Sequence, residues 1–357
     1  MKVSFVLPGG AAVPSGGARM VLRYANALAA SGWTVSIILP SALRGSGGWW
    51  GKKARQTRYW WWRFNRGYSP HRWFQVLPGV GIDWVQDLRR LAASADVVIA
   101  TSVQTAESIS HWPASGLRLL YLVQGYETWD FPAERVKASW RLPFVKLAVS
   151  RWLCDLIKAT GESAVYLPNG ADPIHFGVDR PIELRKAPHL LWPFHSHPQK
   201  GAADVLAVLP RLRAQLPELS VHAFGVASIG GPQRDGIRYH QNPAPAELRR
   251  LYNEARVFAA PSHAEGWGLP PFEAQQCGCA VAGTDIGGHR EFLRNEENAL
   301  LHPAGDTTRF ASNLLRLLTD DGLSQRLATR GQVDAMGWRF EASVDRLQRA
   351  LRGEDVI

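Results

Sequence analysis

The stretch KVSFVLPGGAAVPSGGARMVLRYANALAASGWTVSIIL, residues 2–39, decides the fold of this 357-residue chain. Its two ends, Lys2–Leu7 and Thr34–Leu39, are short apolar runs rich in β-branched residues, which is typical of buried strands. Between them, Ala18–Ala30 repeats apolar residues at helical spacing. A strand, a helix and a second strand in this order predict one unit of a doubly wound parallel sheet.

The same alternation continues along the chain and predicts two such sheets in tandem. The further strand candidates of the first sheet are Val97–Thr101, Leu117–Val123, Val145–Val149 and Ala164–Leu167. A stretch rich in Pro, Asp and Gly, Pro168–Pro188, is the predicted interdomain connection. The strand candidates of the second sheet are His189–Trp192, Val221–Phe224, Val257–Ala260, Ala280–Gly283 and Ala299–Leu301, with helices such as Ala202–Leu216 and Glu247–Ala255 between them.

The predicted fold class is therefore α/β, with two Rossmann-like doubly wound domains. A length of 357 residues suits two domains at about 100–200 residues each. We assign residues 1–172 to an N-terminal domain and residues 173–337 to a C-terminal domain. Residues 338–357 contain a last helical pattern, Phe340–Leu351, which we expect to cross back to the N-terminal domain.

Composition limits the location and the class of the protein. With 46% hydrophobic and 20% charged residues, the chain has the composition of a folded globular protein. No segment offers about 18 consecutive apolar residues, so a membrane-spanning helix is not expected. The three cysteines have no metal-ligand spacing and are predicted to be free thiols of a reducing compartment: Cys154, Cys277 and Cys279. These features favour a cytoplasmic protein.

The net charge of +10 is concentrated in one tryptophan-rich segment, Arg44–Gly79. This segment has eight Lys or Arg and no acid, and its tryptophans are Trp49, Trp50, Trp60, Trp61, Trp62 and Trp73. Indoles beside cations favour the membrane–water boundary, so the segment could dock on the inner membrane face or meet a lipid-linked acceptor. The alternative is a partly buried set of tryptophans with a solvated basic face. Nucleic acid is the least favoured partner.

Glycines follow the first strand and lead into the first helix. Gly16 and Gly17 let the backbone approach a ligand closely, and free N–H groups at a helix start attract phosphate. The stretch is neither a dinucleotide fingerprint nor a Walker A loop. An anion cradle and an ordinary flexible loop are therefore both open.

The stretch AEGWGLPPFEA, residues 264–274, carries two carboxylates, Glu265 and Glu273, eight residues apart. Prolines have φ preset near the helical value, so the two prolines predict a helix that begins near Leu269. Glu265 then lies on the loop that follows a strand, and Glu273 lies about one turn inside the helix. Both carboxylates can face one pocket, where one accepts from sugar hydroxyls and the other from a ribose diol. The alternative is a surface acid and a second acid favoured by the helix dipole.

The run from Tyr252 to Pro303 resembles the retaining glycosyltransferases of family 4. The motif is Glu265, seven residues and Glu273, followed by CGCAV at 277–281 and GGHRE at 287–291. The likeness extends more loosely to the Gly16–Gly17 loop, to PNGAD at 168–172 and to Lys200–Gly201. The resemblance implies the B-type glycosyltransferase (GT-B) fold, in which two Rossmann-like domains face each other across a cleft. It also implies that the N-terminal domain, residues 1–172, binds the acceptor and that the C-terminal domain, residues 173–337, binds the nucleotide sugar.

The resemblance also implies roles for individual residues. Glu265 would contact the donor sugar, Glu273 the nucleotide ribose, and Lys200 and the glycine loops the diphosphate. Catalytic roles are predicted for Glu265, Lys200 and His195. The predicted donor-binding residues are Gly16, Gly17, Lys200, Gly266, Trp267, Gly268, Leu269 and Glu273.

Two positions depart from the family pattern. His195 stands where the family has Arg, and His is charged only near or below about pH 6.5, so its part in neutralising the diphosphate is open. It could instead be a polar loop residue. In the first domain Gln124 stands where the family often has His, and Gln124 and Tyr126 are predicted to bind the acceptor. The run from Tyr121 to Trp129 looks like a bacterial subset linked to rhamnose-containing surface polysaccharides.

The resulting hypothesis is a retaining transfer of a sugar from a nucleotide diphosphate to a glycan or lipid-linked acceptor in bacterial cell-surface polysaccharide synthesis. The sequence has no Asp-x-Asp triplet, so we expect no metal site and no cofactor: fixed cations and amides would neutralise the leaving group. The donor guess is dTDP-rhamnose first, with UDP- and GDP-sugars next. The alternatives are a sugar-nucleotide epimerase of the same fold and a non-catalytic basic protein that binds membrane or nucleic acid.

Overall fold

The computed structural model describes residues 1–9, 14–40, 43, 57, 60, 70–85, 88, 94–112, 116–228 and 236–354. The chain forms two compact units. The first unit comprises Met1–Pro168 and the chain from Glu341 onward, and the second comprises Asn169–Phe340. The basic, tryptophan-rich segment predicted to meet a membrane lies mostly outside the described residues.

A parallel sheet with the order β3-β2-β1-β4-β5-β6-β7 forms the centre of the first unit. Its strands are β1 (Lys2–Val6), β2 (Thr34–Pro40), β3 (Val80–Val85), β4 (Val97–Ala100), β5 (Arg118–Val123), β6 (Val145–Ala148) and β7 (Ala164–Tyr166). The helices described in this part of the chain are α1 (Gly16–Ala30), α2 (Val103–Ile109), α3 (Ala133–Trp140) and α4 (Arg151–Lys158). The strand order reverses between β1 and β4, so the ends of these strands mark the switch point of this sheet.

A second parallel sheet, with the order β10-β9-β8-β11-β12-β13, forms the centre of the second unit. Its strands are β8 (His189–Pro193), β9 (Ser220–Gly225), β10 (Ile237–Gln241), β11 (Val257–Ala260), β12 (Ala280–Thr284) and β13 (Leu300–His302). The helices are α5 (Ala202–Gln215), α6 (Pro245–Glu254), α7 (Leu269–Gln276), α8 (Thr307–Thr319) and α9 (Asp321–Met336), and α10 (Phe340–Arg352) follows. The predicted fold class, two Rossmann-like doubly wound α/β domains, is confirmed.

Two strands at the centre of the sheets are buried along their whole length, because helices cover both faces of a parallel sheet. All four residues of β4 and all four of β11 are buried. These are continuous apolar runs from which strands were predicted: β11 has the predicted bounds, and β4 ends one residue earlier than predicted. Two strands were not predicted, β3 and β10, and both lie at a sheet edge.

Helix α1 begins two residues earlier than predicted. Ser15 has an extended backbone and its hydroxyl accepts from the N–H of Ala18 at 3.3 Å, which makes it the N-cap. Gly16 and Gly17 are therefore the first two residues of the helix and not part of the preceding loop. Within the part of the chain that the model describes, no helix has the length and apolar character needed to cross a membrane.

Candidate functional site

The predicted donor residues of the second unit lie at the carboxyl edge of its sheet, where the strand order reverses between β8 and β11. Ligands of doubly wound sheets bind outside the strand ends at such a switch point. We call residues 194–201, which follow β8, the β8 loop, and residues 261–268, which follow β11, the β11 loop. The two strands pair directly, with Val257 opposite Leu190, so the loops start side by side.

Backbone contacts hold these two loops together. The N–H of His263 donates to the carbonyl oxygen of Gln199 at 2.7 Å. Gly201 has φ of +68°, and a Cβ at this position would collide with the carbonyl oxygen of Pro261. A side chain at Gly201 would therefore force the loops apart, and its absence lets the residue before it, Lys200, reach the β11 loop.

Lys200 and Glu265, the predicted phosphate and sugar contacts, form an ion pair. The Nζ of Lys200 donates to Oε1 of Glu265 at 2.8 Å, and the Oγ of Ser262 donates to the same oxygen at 2.9 Å. The side chain of Glu265 is 16% exposed and that of Lys200 is 37% exposed. The pair thus has one largely buried partner, Glu265, and one partly exposed partner, Lys200.

The ion pair decides the protonation state of Glu265. Burial raises the pKa of this carboxyl, but the Lys200 ammonium and the Ser262 hydroxyl outweigh the burial, and the net pKa lies below its ordinary value of 4.5. Glu265 is therefore ionised at neutral pH and can only accept hydrogen bonds. Since both contacts use Oε1, Oε2 is the atom suited to accept from a sugar hydroxyl.

A third loop, after β12, packs against the β11 loop. A Cβ on Gly288 would collide with the backbone of Glu265 and Gly266, so only glycine fits between these segments. The next residue, His289, is 1% exposed, and its Nδ1 lies 2.9 Å from the carbonyl oxygen of Thr284. Because a carbonyl accepts, Nδ1 carries the proton of the neutral ring. The pKa of His289 is lowered by burial, so the ring stays neutral near pH 7.

Helix α7 begins at Leu269, as the prolines predicted, with Gly268 at φ of +99° before it. Pro270 and Pro271 have no amide hydrogen, so among the first three residues of α7 only Leu269 has an N–H to offer an anion. The helix dipole can still favour an anion at this terminus, but the first turn has few N–H groups to donate to it.

Glu273 is buried inside α7, at 5% exposure. The hydroxyl of Tyr252, at the end of α6, donates to its Oε2 at 3.1 Å. A carboxylate this buried is retained only with hydrogen-bond donors around it. The structure therefore gives Glu273 a fixed side-chain orientation, in agreement with a binding role that needs a preset geometry.

Trp267 does not present its ring to the loop surface. The indole is 3% exposed and stacks on Phe292 at 5.5 Å between ring centroids, with Phe272 and Trp338 against its edges. Its contribution to a ligand would come from its backbone. Its neighbour Gly266 is also buried.

His195 lies on the exposed part of the β8 loop. Its Nδ1 accepts from the N–H of His197 at 3.0 Å, so the neutral ring carries its proton on Nε2. Burial, the Lys200 cation and His197 lower its pKa. His195 is thus a neutral hydrogen-bond donor near pH 7 and does not replace the charge of the family's Arg.

In the first unit, the structure brings two predicted residues together at the carboxyl edge of the sheet. A Cβ on Gly17 would lie 3.2 Å from Nε2 of Gln124, so the amide of Gln124 lies against the start of α1. Tyr126 packs its ring on Trp140, at 5.5 Å, and on the edge of Trp152. Gln124 is therefore placed to contact a ligand near α1, whereas Tyr126 belongs to an aromatic cluster.

Glu127, which the sequence did not single out, lies at the same edge. Its carboxyl accepts from the N–H of Val103 at the start of α2 at 3.1 Å and from the hydroxyl of Tyr121 at 3.3 Å. Burial raises its pKa to about 7, against the lowering effect of these two hydrogen bonds. This carboxyl therefore titrates in the physiological range.

Residues 190–320 match the family Glycosyl transferases group 1. The matched segment contains all the strands of the second sheet and every residue of the Lys200–Glu265 pair and of α7. The chain is also 31% identical, over 190 residues, to a D-inositol 3-phosphate glycosyltransferase of Frankia alni. That match covers 48% of this chain and 43% of the relative. The chain spans about half the length of the curated relatives it matches.

Solved glycosyltransferase structures share the whole fold. Sucrose-phosphate synthase of Thermosynechococcus elongatus superposes with a TM-score of 0.77 at 15% identity, covering 99% of this chain and 98% of the other. The Anabaena protein Alr3699/HepE, in complex with UDP and glucose, superposes with a TM-score of 0.76 at 16% identity, covering 99% and 100%. At these identities the likeness establishes the two-domain fold alone.

Sequence reasoning missed several residues of the site: Ser262, Tyr252, Thr284 and His289. Ser262 lies two residues before the AEGWGLPPFEA stretch and His289 lies inside GGHRE, but spacing does not reveal which groups they meet. Among the described residues, no group of three or more His, Cys, Asp or Glu side chains is arranged to hold a metal ion. Whether transfer needs a divalent ion stays a prediction.

Proposed function

We propose that the protein is a glycosyltransferase that moves a sugar from a nucleotide diphosphate to a hydroxyl acceptor. The observation that carries the proposal is the Lys200–Glu265 pair, fixed at 2.8 Å beside the switch point of the second sheet. It places a cation for a diphosphate beside a carboxylate for a sugar, within the segment that matches the group 1 glycosyl transferases.

In the proposal, Lys200 and Glu265 can each form further hydrogen bonds to the nucleotide sugar. An ammonium group has three N–H donors, of which Glu265 takes one, so two can reach the phosphate oxygens. As the glycosidic bond breaks, negative charge grows on the departing diphosphate, and Lys200 stabilises it without moving. Glu265 accepts from the sugar through Oε2, and Glu273 accepts from the ribose.

The proposed stereochemical course is retention. Glu265 is held by Lys200 and Ser262 and serves to orient the sugar, so the acceptor hydroxyl attacks from the side of the leaving group. A donor phosphate oxygen takes the proton of that hydroxyl. In this scheme the fixed cation and the amides around it neutralise the diphosphate, and a divalent metal is not required.

The donor and the acceptor are proposed by class. The Frankia alni relative acts, by its name, on D-inositol 3-phosphate, and the similar Anabaena structure was solved with UDP and glucose. UDP-sugars therefore join dTDP-rhamnose at the head of the donor candidates, with GDP-sugars next. The acceptor is a polyol, glycan or lipid-linked sugar, and a cell-surface polysaccharide pathway stays a proposal.

A thermal-shift screen of the full chain tests this function. The probes are dTDP-, UDP- and GDP-sugars, each with and without EDTA, because a ligand that binds only the folded state raises the melting temperature. We expect one nucleotide class to stabilise the protein in EDTA. Release of nucleoside diphosphate is then followed with inositol phosphate and with simple glycosides as acceptors.

Variants separate the outcomes of this screen. Glu265→Ala and Lys200→Ala should each lose most activity, whereas Lys137→Ala, which removes an exposed ion pair with Glu134, should not. Near-normal rates in both site variants would remove the assignment. Conversion of the sugar nucleotide without any acceptor would identify an epimerase instead. Salt-dependent binding to anionic vesicles or DNA, with no response to sugar nucleotides, would instead support a non-catalytic basic protein that binds membrane or nucleic acid.

A further inference from the structure

Tyr252 lies at the end of α6, before the stretch that carries Glu265 and Glu273, and is fully buried. Its hydroxyl donates to Oε2 of Glu273 at 3.1 Å. We propose that Tyr252 is the positioning residue of the donor site, which holds the Glu273 carboxylate in the orientation that recognises the ribose hydroxyls. This inference rests on the function proposed above and adds a residue to it.

Tyr252 is held from several sides. Its ring lies 5.8 Å from Phe176, 5.7 Å from Phe224 and 5.6 Å from Phe258, measured between centroids. These aromatic contacts come from three separate segments, the stretch after Asp172, the end of β9 and the middle of β11. A ring fixed in this way holds its hydroxyl at one place, so Glu273 receives a donor whose position does not vary.

The chemistry of the pair fixes its direction. Burial raises the pKa of the Tyr252 hydroxyl well above 10, and the nearby Glu273 carboxylate raises it further. The phenol therefore keeps its proton and donates a hydrogen bond to the carboxylate. A carboxylate has about four lone-pair positions, and the hydrogen bond from Tyr252 takes one position on Oε2.

The backbone of Tyr252 is linked by hydrogen bonds to the turn that follows α7. The carbonyl oxygen of Tyr252 accepts from Nη1 of Arg185 at 3.3 Å and from Sγ of Cys279 at 3.0 Å. Arg185 also donates to the carbonyl of Cys277 at 2.8 Å. Arg185 thus links the backbone at the end of α6, which carries Tyr252, to the backbone at the end of α7, which carries Glu273. This link helps to hold the carboxylate in one orientation.

The test measures ribose recognition directly. The dissociation constants of UDP, dTDP and GDP are measured by calorimetry for the wild-type protein, and the tightest is compared with its 2′,3′-dideoxy analogue. We expect Tyr252→Phe, which keeps the ring, to weaken binding of the natural diphosphate by about fivefold to tenfold. Binding of the dideoxy analogue should not change, because it has no hydroxyl for Glu273 to recognise. A purely structural role would weaken both ligands equally.

Two further variants complete the experiment. Glu273→Gln should abolish the preference for the natural ribose, and adding Tyr252→Phe to it should cause no further loss, since Tyr252 acts through Glu273. Tyr24→Phe removes another fully buried hydroxyl, on α1, and should leave both dissociation constants unchanged.

Each failure has its own meaning. If the wild type binds none of the diphosphates, the proposed function itself falls. If it binds them and Tyr252→Phe keeps the full ribose preference, or lowers both affinities alike, the positioning role is overturned and the function stands. Retention of the full preference by Glu273→Gln overturns the role even if Tyr252→Phe does not fold.

Discussion

Replacing Lys200 by Met leaves the Glu265 carboxylate in place without its cation. Breaking a fully buried ion pair by removing one partner costs about 3–5 kcal/mol. Here Lys200 is 37% exposed, so water already screens the pair, and we expect about half of that, roughly 2 kcal/mol. For a domain of this size such a loss lowers the melting temperature by about 4–8 °C.

The stability lost in Lys200→Met should depend on pH, whereas a loss of packing alone should not. In the wild type the folded-state pKa of Glu265 lies below 4.5, so its contribution to stability is present above that value and is lost only as the pH falls through the folded-state pKa. In Lys200→Met, burial acts without the cation and raises the folded-state pKa above the unfolded one. The destabilisation should therefore grow as the pH rises from about 4 to about 8.

Urea unfolding of both proteins across this pH range measures the effect. Lys137→Met is the matched control, because its partner Glu134 lies 3.0 Å away but is 81% exposed. We expect that control to leave the free energy of unfolding close to that of the wild type at every pH, because exposed ion pairs contribute little to stability. A difference between Lys200→Met and the wild type that is the same at both ends of the range would refute the argument.

Three other substitutions test features of the two units. Gly201→Ala should lower the free energy of unfolding in urea by more than about 3 kcal/mol, because the new Cβ would meet a backbone carbonyl. Gly161→Ala, also at positive φ but with open space around it, should lower it by only about 1 kcal/mol. Equal losses in the two variants would contradict this reasoning. Glu127 has its folded-state pKa raised to about 7, so stability should fall as the pH rises from about 5 to about 8. Glu127→Gln should remove that slope from the pH dependence of the melting temperature, and an unchanged slope would exclude Glu127 as its source. His195→Arg should tighten binding of the preferred nucleoside diphosphate at about pH 8, since it adds a charge that the neutral ring lacks; calorimetry showing equal or weaker binding would indicate that the position does not face the phosphates.

The central strands and the start of α7 could be predicted from the sequence because their causes are local. β11 is a run of four apolar residues, and two adjacent prolines have the φ of a first helical turn. Two edge strands, β3 and β10, could not. Residues such as Asp83, Arg238 and Gln241 break up their apolar character, whereas the edge strands β7 and β13 keep short apolar runs and were predicted. An edge strand needs no continuous apolar run, so strands such as β3 and β10 read as loops in the sequence.

The site was predicted in part for the same reason. The resemblance drew attention to Lys200, Glu265 and Glu273, but residues 65 positions apart have no local signal for pairing. Tyr252 and His289 were missed because the sequence does not show that the Tyr252 hydroxyl meets Glu273 on α7, or that the His289 ring meets the carbonyl of Thr284 at the end of β12. Trp267 was assigned to the donor by its place in the motif, whereas an aromatic cluster determines where its ring lies. Tertiary packing fixes these contacts, and spacing along the chain does not contain them.

Gly288 fixes the backbone of this site and leaves its side chains as the part that can vary. Since no side chain fits between that residue and the backbone of Glu265 and Gly266, the loops after β11 and β12 cannot shift independently. A new donor preference therefore has to arise from the side chains that project from this shared backbone, such as Ser262. Libraries aimed at altered sugar use should randomise such positions and keep Gly201 and Gly288 constant.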